Sequence, residues 1–304
     1  MAHAADPGLA DVLAEVRRID LQTRRLVSST LAGGYLSVFR GAGVEFESVR
    51  EYVPGDDPRA VDWNVTARMG RPYVKTFANE RDLQVLFLLD VSASMEGGYG
   101  PWSARQVAAR VCACLGFSAV RGGDRVGLLT FGAGVEAYVP PRRGSAHVLR
   151  IVRDCLMTRP AVGRTSLAPA LDLAARALRR HAIVFVLSDF LHDGWQKSLR
   201  RCARRHDVVA VRLLTPELHV PAAGLTRVRD PESGRTQILD WSRPRVRAAY
   251  DERVANWQRR TERDLRRAQV DRMDMPVPRE RAAAHIAGPI LRFFRMREQR
   301  GAKR

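Results

Sequence analysis

Unbroken apolar runs constrain the fold of this chain more than any other feature. The runs VLFLL (85–89), AIVFVL (182–187) and VVAV (208–211) have the length of strands and contain no polar residue. A strand that is apolar at every position must be covered on both faces, which is typical of parallel sheets. Helical patterns lie between the runs. The sequence therefore predicts an α/β fold with a doubly wound, mainly parallel sheet and helices on both faces.

The same patterns divide the 304 residues into four predicted parts. Listed in order, they are an N-terminal amphipathic helix (1–34), a small capped subdomain (35–82), the sheet domain with the candidate site (83–215), and a hairpin with a basic helical extension (216–304). The pair Gly33-Gly34 is expected to end the first helix.

A short helix is predicted inside the small subdomain. Asp57 stands where a helix cap belongs and Pro58 where the first helical residue belongs. Gly70 is expected to end this helix after Met69. Three residues of this subdomain are candidates for a partner-binding surface, and the alternative is that they pack and cap the subdomain: Trp63, Arg68 and Lys75.

Arginine dominates the charge of the chain. Lysine and arginine number 51 against 33 acidic residues, a net charge of +18, and only three of the 51 are lysines. Residues 241–304 carry 18 basic and 8 acidic residues, which contributes +10. This excess leaves nucleic-acid or anionic-surface binding open as an alternative function. No aromatic-plus-basic motif accompanies the charge, so nucleic acid is the less favoured partner.

The four cysteines indicate a reducing compartment. Cys112, Cys114, Cys155 and Cys202 form no CxxC motif and no zinc-binding spacing with histidine, so we expect buried, reduced thiols. No apolar run approaches the ~20 residues that a membrane-spanning helix needs. The N-terminus lacks the basic start and apolar block of a signal peptide. We therefore expect a cytoplasmic protein.

Oxygen-bearing side chains follow two of the predicted strands. Asp90 ends the first apolar run, Ser92 and Ser94 come just after it, and Asp189 ends the second run. Thr165 lies in a loop just before a predicted helix. Doubly wound sheets gather such positions at the carboxyl ends of their strands. An all-oxygen set suits a hard divalent cation, Mg²⁺ or Mn²⁺, with room for one more anionic oxygen from a partner.

The histidines are not expected to contribute to this site. His147, His181, His192 and His206 lie apart from one another in the sequence. We interpret each of them as a helix-end or surface residue rather than as a ligand.

The oxygen set resembles the metal-ion-dependent adhesion site of von Willebrand factor A domains. The D-x-S-x-S motif of that family matches Asp90, Ser92 and Ser94, its threonine matches Thr165, and its second aspartate matches Asp189. The resemblance implies that the two serines and often the threonine bind the metal directly. It implies that the two aspartates frequently act through water.

A longer stretch is similar to a second, more specific signature. FESVREYVPGDDPRAVDWNVTARMGRPYVKTFANERDLQVLFLLDVSASM (46–95) resembles the bacterial "domain of unknown function 58" family, and the resemblance extends from Arg24 to about Leu214. Members of that family commonly accompany MoxR-type AAA+ ATPases, which implies a chaperone-like or assembly role. The implied partner is such an ATPase, or a client protein that offers an Asp or Glu to the metal.

Motifs for catalysis are absent from the sequence. There is no GxxxxGK[ST] phosphate loop, no G-x-S-x-G elbow and no plausibly placed Ser/His/Asp set. We therefore expect a non-enzymatic, divalent-metal-dependent protein-binding adaptor. A metal-dependent hydrolase is a further alternative, and it is disfavoured because no nucleophile or base is placed beside the metal.

Overall fold

A computed structural model describes most of the chain. The described residues are 9–27, 31–40, 45–53, 56, 61–78, 83–98, 100–161, 163–219, 224–232, 234–280 and 284–301.

Helices and strands alternate along the chain. The helices are α1 (Leu9–Leu26), α2 (Ala32–Arg40), α3 (Trp63–Met69), α4 (Ala104–Arg121), α5 (Ser145–Met157), α6 (Ala168–Ala177), α7 (Gln196–Ala203), α8 (Pro244–Arg267) and α9 (Ala284–Gly301). The strands are β1 (Glu45–Glu51), β2 (Tyr73–Ala78), β3 (Gln84–Asp90), β4 (Arg125–Phe131), β5 (Val135–Arg142), β6 (Ala182–Ser188), β7 (Asp207–Leu214), β8 (Leu225–Arg229), β9 (Thr236–Asp240) and β10 (Asp271–Pro276).

A six-stranded sheet in the order β10-β7-β6-β3-β4-β5 forms the centre of the molecule. Neighbouring strands are parallel except for the β4–β5 pair, which is antiparallel. Side chains of β3 alternate between two cores. Phe87 and Leu89 pack with α1, α2, α4, α5 and α9, while Leu86 and Leu88 pack with α6, α7 and α8. The predicted α/β fold, with a mainly parallel sheet covered on both faces, is confirmed.

The N-terminal segment differs from the prediction at its glycine pair. Gly33 and Gly34 lie within α2 instead of ending α1, so that prediction is wrong. A Cβ atom on Gly34 would come within 2.9 Å of Cδ2 of Phe294 in α9. The glycine therefore serves the close packing of two helices rather than a helix end.

The small subdomain pairs β1 with β2 in antiparallel register beside the short helix α3. Asp62, not Asp57, caps α3 by accepting hydrogen bonds from the amides of Asn64 (3.0 Å) and Val65 (3.2 Å). The predicted helix start is wrong, because the residue before this cap, Val61, forms a β-bridge with Val74. The residues predicted to start this helix, Asp57 and Pro58, lie outside the described residues. The predicted end at Gly70, with φ of 72°, is confirmed.

The C-terminal region contains the predicted hairpin, β8–β9, and the predicted helices α8 and α9. It also supplies β10, which pairs with β7 at the edge of the central sheet. The prediction missed this strand because its sequence, DRMDMP, alternates charged and apolar residues. Met273 and Met275 are buried. The division of the chain into four parts stays a prediction. The fourth part (216–304) nevertheless adds β10 to the sheet of the third part (83–215).

The four cysteines are free and buried, as the sequence indicates. No helix in the described part of the chain is long and apolar enough to cross a lipid bilayer.

Candidate metal centre

The candidate ligands lie at the carboxyl edge of the central sheet. Leu89 of β3 pairs with Leu187 of β6, so the next residues of the two strands, Asp90 and Ser188, lie side by side. Asp189 follows directly after β6. The chain folds this way because both strands are buried over their length and meet solvent-accessible loops only at this edge.

Hydrogen bonds hold both oxygens of the Asp90 carboxylate. Oδ1 accepts from the amide of Ser92 at 2.9 Å, and Oδ2 accepts from Oγ of Ser188 at 2.6 Å. The hydroxyl oxygens of Ser92 and Ser94 lie 3.0 Å apart, and the hydroxyl of Ser94 acts to lower the pKa of Asp189. The first carboxylate and the two serines of the D-x-S-x-S motif therefore belong to one network that reaches the second carboxylate.

The turn after β6 is fixed by strained backbone and by α8. Phe190 has a φ of 57°, a conformation that costs a non-glycine residue about 1 kcal/mol or more. Its amide donates to Oγ of Ser188 at 2.9 Å, and its carbonyl accepts from Nε1 of Trp257 in α8 at 2.9 Å. Asp189 accepts a further bond from the amide of Leu191 at 3.0 Å. These bonds orient the carboxylate of Asp189 toward the site.

The loop that carries Thr165 is tied to the ends of β3 and β4. The amide of Ala161 donates to the carbonyl of Val91 at 2.8 Å, and that of Ser166 to the carbonyl of Gly132 at 2.7 Å. A Cβ atom on Gly132 would lie 2.0 Å from the Cβ of Ala161, so only glycine permits this approach. Thr165 itself is buried, and its Oγ1 donates to Oε1 of Glu232 at 2.6 Å.

His192 lies beside the two carboxylates, a position that the sequence interpretation did not predict. One ligand atom each from Asp90, Asp189 and His192 lie within 4.8 Å of one another. The Nε2 atom of His192 is buried and has no hydrogen-bond partner in the described part of the chain. A signal was present, because His192 follows Asp189 by three residues. Its turn conformation, which brings it back to the site, is not visible in a sequence pattern.

Without a bound cation, the charged forms of the Asp90 and Asp189 carboxylates are destabilised at this site. Burial, together with the nearby Asp189 carboxylate, raises the pKa of Asp90 to about 7. Burial also raises the pKa of Asp189 and lowers the pKa of His192. Two buried carboxylates side by side disfavour each other's charged form, and a bound cation would remove this penalty.

The residues present fit a divalent metal ion. Asp90, Asp189 and a ring nitrogen of His192 would hold it, and the hydroxyls of Ser92 and Ser94 lie in the same network. When bound, such an ion supplies a positive charge that attracts a further anionic oxygen. The direct ligand role of the two serines and of Thr165 stays a prediction.

The candidate partner surface in the small subdomain lies on different helices and strands from those that carry these ligands. Trp63 begins α3 and is 73% exposed, so it does not pack as the alternative interpretation required. Arg68 is exposed in the last turn of α3. Lys75 lies on β2 opposite Val49, and its side chain is outside the described part of the structure. The role of these residues in binding stays a prediction.

Ser188 is a positioning residue that the sequence analysis missed. The change Ser188→Ala removes the donor to Asp90 and leaves the buried amide of Phe190 without its acceptor. We expect the affinity for Mg²⁺ to fall about 10- to 100-fold. The free energy of unfolding is expected to fall by about 1–3 kcal/mol. Calorimetric titration with Mg²⁺ and urea denaturation in chelator measure the two effects.

The matched control for this change is Ser118→Ala. Ser118 is also a buried serine, but its hydroxyl donates to the carbonyl of Cys114 inside α4, away from the metal centre. It is expected to lower stability while leaving the Mg²⁺ affinity unchanged. Equal losses of Mg²⁺ affinity in the two variants would contradict a positioning role for Ser188.

Several solved structures share similarity with this chain at low identity. "Crystal structure of conserved hypothetical protein BatB from Bacteroides thetaiotaomicron" matches with a TM-score of 0.42 and 15% identity, covering 71% of this chain and 99% of that one. "Crystal Structure of the SpRpn10 VWA domain" matches with a TM-score of 0.35 and 16% identity, covering 43% and 75%. These scores are too low to carry a functional argument, and the fold assignment stands on the strand order and register above.

Sequence relatives share higher identity with the chain. "Uncharacterized protein Rv1480" of Mycobacterium tuberculosis is 34% identical over 233 residues, which is 75% of this chain and 73% of that protein. "Uncharacterized protein MAV169" of Mycobacterium avium is 36% identical over 103 residues, 33% of this chain and 61% of that protein. The family model described as "Protein of unknown function DUF58" matches residues 48–260. Because this match spans most of the 304 residues, including the whole candidate metal centre, the chain belongs to the DUF58 family.

Proposed function

We propose that the protein is a non-enzymatic adaptor that binds a partner protein through a divalent metal ion. A partner Asp or Glu would complete the coordination of an ion held at the carboxyl edge of the sheet. The observation that carries this proposal is the cluster of Asp90, Asp189 and His192, whose ligand atoms lie within 4.8 Å of one another in a buried setting. A bound cation would stabilise the charged form of such a buried pair of carboxylates.

The proposed ion is Mg²⁺ or Mn²⁺. Mg²⁺ is supported by the carboxylate and hydroxyl oxygens of Asp90, Asp189, Ser92 and Ser94. The ring nitrogen of His192 supports Mn²⁺ over Mg²⁺, because imidazole suits transition metals better than it suits a hard alkaline-earth ion. Comparing the affinities of the two ions therefore distinguishes an oxygen-only site from one that uses His192.

The proposed partner is a MoxR-type AAA+ ATPase or a client protein delivered to it, in a chaperone-like role in the cytoplasm. Support comes from membership of the DUF58 family, because the resemblance to that family implies that its members commonly accompany such ATPases. An adaptor of this kind needs no energy source of its own. That agrees with the absence of a phosphate-binding loop from the sequence.

The contacts of the site hydroxyls support a non-enzymatic role. Ser92 and Ser94 hydrogen-bond with each other and Thr165 with Glu232, and none of the three contacts a histidine base in the described part of the molecule. A serine or threonine nucleophile needs such a base within hydrogen-bond reach. This disfavours a hydrolase that uses a serine or threonine nucleophile.

The alternative of nucleic-acid or anionic-surface binding loses support from the ion pairs of the basic C-terminal region. Many of its arginines pair with carboxylates of the same fold, which lowers the charge available to a polyanion. These are Arg243, Arg260, Arg263, Arg266, Arg272, Arg297 and Arg300.

The proposal is tested with the double variant Ser92→Ala/Ser94→Ala, which removes two hydroxyls without changing charge. We expect the wild type to bind Mg²⁺ or Mn²⁺ in calorimetric titrations and the double variant to bind at least about tenfold more weakly. Ser145→Ala is the matched control, because Ser145 is an exposed serine at the start of α5. It is expected to bind the ions like the wild type.

Partner binding is then measured with a purified MoxR-type ATPase at constant Mg²⁺. Constant Mg²⁺ is essential, since a chelator would also remove the ion that the ATPase uses with its nucleotide. The wild type and Ser145→Ala should bind the ATPase, and the double variant should not. Equal binding by all three proteins would show that the metal does not bridge this partner. Absence of ion binding by the wild type would overturn the adaptor proposal.

A further inference from the structure

The hairpin β8–β9 brings a third carboxylate to Thr165, next to but not within the 4.8 Å cluster of Asp90, Asp189 and His192. Glu232 lies at the tip of the hairpin, and its Oε1 accepts the hydrogen bond from Oγ1 of Thr165 at 2.6 Å. These residues are 67 positions apart in the chain, so the contact is tertiary. Thr165 is buried and Glu232 is half-buried at this contact. The predicted threonine ligand is therefore already engaged by an acid of its own chain.

The charge of Glu232 also reaches the other groups of the site. It contributes to raising the pKa of Asp189 and opposes the lowering of the pKa of His192. A third carboxylate beside two buried ones adds repulsion, which would favour a hairpin that points elsewhere. A cation shared by the three acids turns this repulsion into attraction. A metal ion at the site would therefore stabilise the hairpin in the position in which Thr165 already holds it.

We propose that Glu232 is an internal ligand of the metal ion and occupies the position that a partner Asp or Glu would take. This inference rests on the proposed function, because it assigns the occupant of the same metal centre before a partner arrives. The hairpin then acts as a built-in competitor. A partner binds by displacing Glu232, so its apparent affinity is lower than that of the open site.

The tip of the hairpin is preorganised to present this side chain. The amide of Glu232 donates to Oδ1 of Asp230 at 3.0 Å, and the amide of Gly234 donates to the carbonyl of Asp230 at 2.9 Å. Gly234 has a φ of 70°, which suits glycine in a tight turn. The turn therefore holds the glutamate at a defined position without help from the metal.

The strands of the hairpin are held loosely, as displacement requires. Leu225 on β8 is 74% exposed and Ile238 on β9 is 63% exposed. Lifting the tip would therefore uncover little apolar surface, and the main loss would be the contact between Thr165 and Glu232.

The base of the hairpin is connected to the loop that follows the serine motif. Trp241, directly after β9, is buried and packs its ring against Tyr250 at a centroid distance of 5.3 Å. The Tyr250 hydroxyl donates to the carbonyl of Glu217 at 2.6 Å, and Oε1 of Glu217 accepts from the amide of Gly98 at 2.7 Å. These contacts give the hairpin a fixed hinge while its tip contacts the site.

The inference is tested by comparing Glu232→Gln with the wild type in two measurements. Calorimetry gives the Mn²⁺ affinity, which should fall about tenfold when a charged ligand is removed. The second measurement is the relaxation rate of acetate methyl protons, with protein in excess so that all Mn²⁺ is bound. Acetate stands in for a partner carboxylate. Its relaxation rate should rise several-fold in Glu232→Gln, because the coordination position becomes open.

Glu252→Gln is the matched control, since Glu252 is an exposed glutamate on α8. It should match the wild type in both measurements. If Asp90→Asn abolishes Mn²⁺ binding but Glu232→Gln changes neither affinity nor acetate relaxation, the inference is overturned and the adaptor proposal stands. If the wild type binds neither Mn²⁺ nor Mg²⁺, both are overturned.

Discussion

Replacement of Asp90 by asparagine is expected to stabilise the protein in chelator at pH 8 and to abolish its stabilisation by Mg²⁺. Without metal, burial and the nearby Asp189 carboxylate destabilise the charged form of Asp90 and raise its pKa to about 7. Asparagine has nearly the same shape and no charge, and it loses only the bond that Oδ2 accepts from Ser188, because its amide nitrogen cannot accept. Because one pKa unit corresponds to about 1.4 kcal/mol, the gain in the free energy of unfolding is at most about 4 kcal/mol.

The pH dependence follows from the direction of the shift. The pKa of Asp90 in the fold lies above its ordinary value of 3.8, so between these two pH values the folded protein binds a proton that the unfolded chain does not. The contribution of Asp90 to stability is therefore fully present below about pH 4 and is lost as pH rises through about 7. In chelator the wild type should lose stability from pH 5 to pH 8 relative to Asp90→Asn.

Urea denaturation at pH 5 and pH 8, in chelator and in Mg²⁺, measures these effects. Mg²⁺ should stabilise the wild type at pH 8 and leave Asp90→Asn unchanged, because only the wild type binds the ion. Asp193→Asn is the control, since this exposed carboxylate pairs with Arg260 at 3.6 Å and is expected to change stability by less than about 0.5 kcal/mol. A variant Asp90→Asn that is less stable than the wild type in chelator at pH 8 would contradict the prediction.

A chain shortened to residues 1–215, the predicted end of the sheet domain, is expected not to fold. The cut removes β10 from the edge of the sheet and α9 from the face that holds α2 and α4. The buried side chains lost include Met273, Met275, Ile286, Ile290, Phe293 and Phe294. At about 2 kcal/mol each, their removal costs roughly 12 kcal/mol, which is as large as the whole stability of a typical protein.

Circular dichroism and thermal melts of the shortened chain test this expectation. The control replaces the hairpin 225–240 by a short Gly-Ser link, because the amide of Trp241 already lies 2.8 Å from the carbonyl of Gly224. This deletion removes mostly exposed side chains and should leave a cooperative melt. If the chain of residues 1–215 melts cooperatively near the temperature of the full protein, the C-terminal region is an appendage, as the four-part division has it.

Local patterns were enough to predict most of the architecture. The strands β3, β6 and β7 are apolar at nearly every position, and this property follows from burial on both faces of a sheet. The strand β10 lacks this continuous apolar pattern because it lies at the sheet edge, where only Met273 and Met275 are buried. The pair Gly33-Gly34 was misinterpreted because a glycine that ends a helix and one that lets two helices touch are identical in sequence.

The sequence by itself determined the sheet, its carboxyl edge, and the placement of Asp90, Ser92, Ser94 and Asp189 there. Each of these follows from a strand pattern and the two to four residues after it, which is local information. Only the tertiary structure decided that Ser188, His192 and Glu232 join them. Their positions depend on strand register, on a strained turn held by α8, and on a hairpin 67 residues from the loop it contacts. Such contacts depend on the packing of segments that are distant in the sequence. The spacing of apolar residues does not predict them.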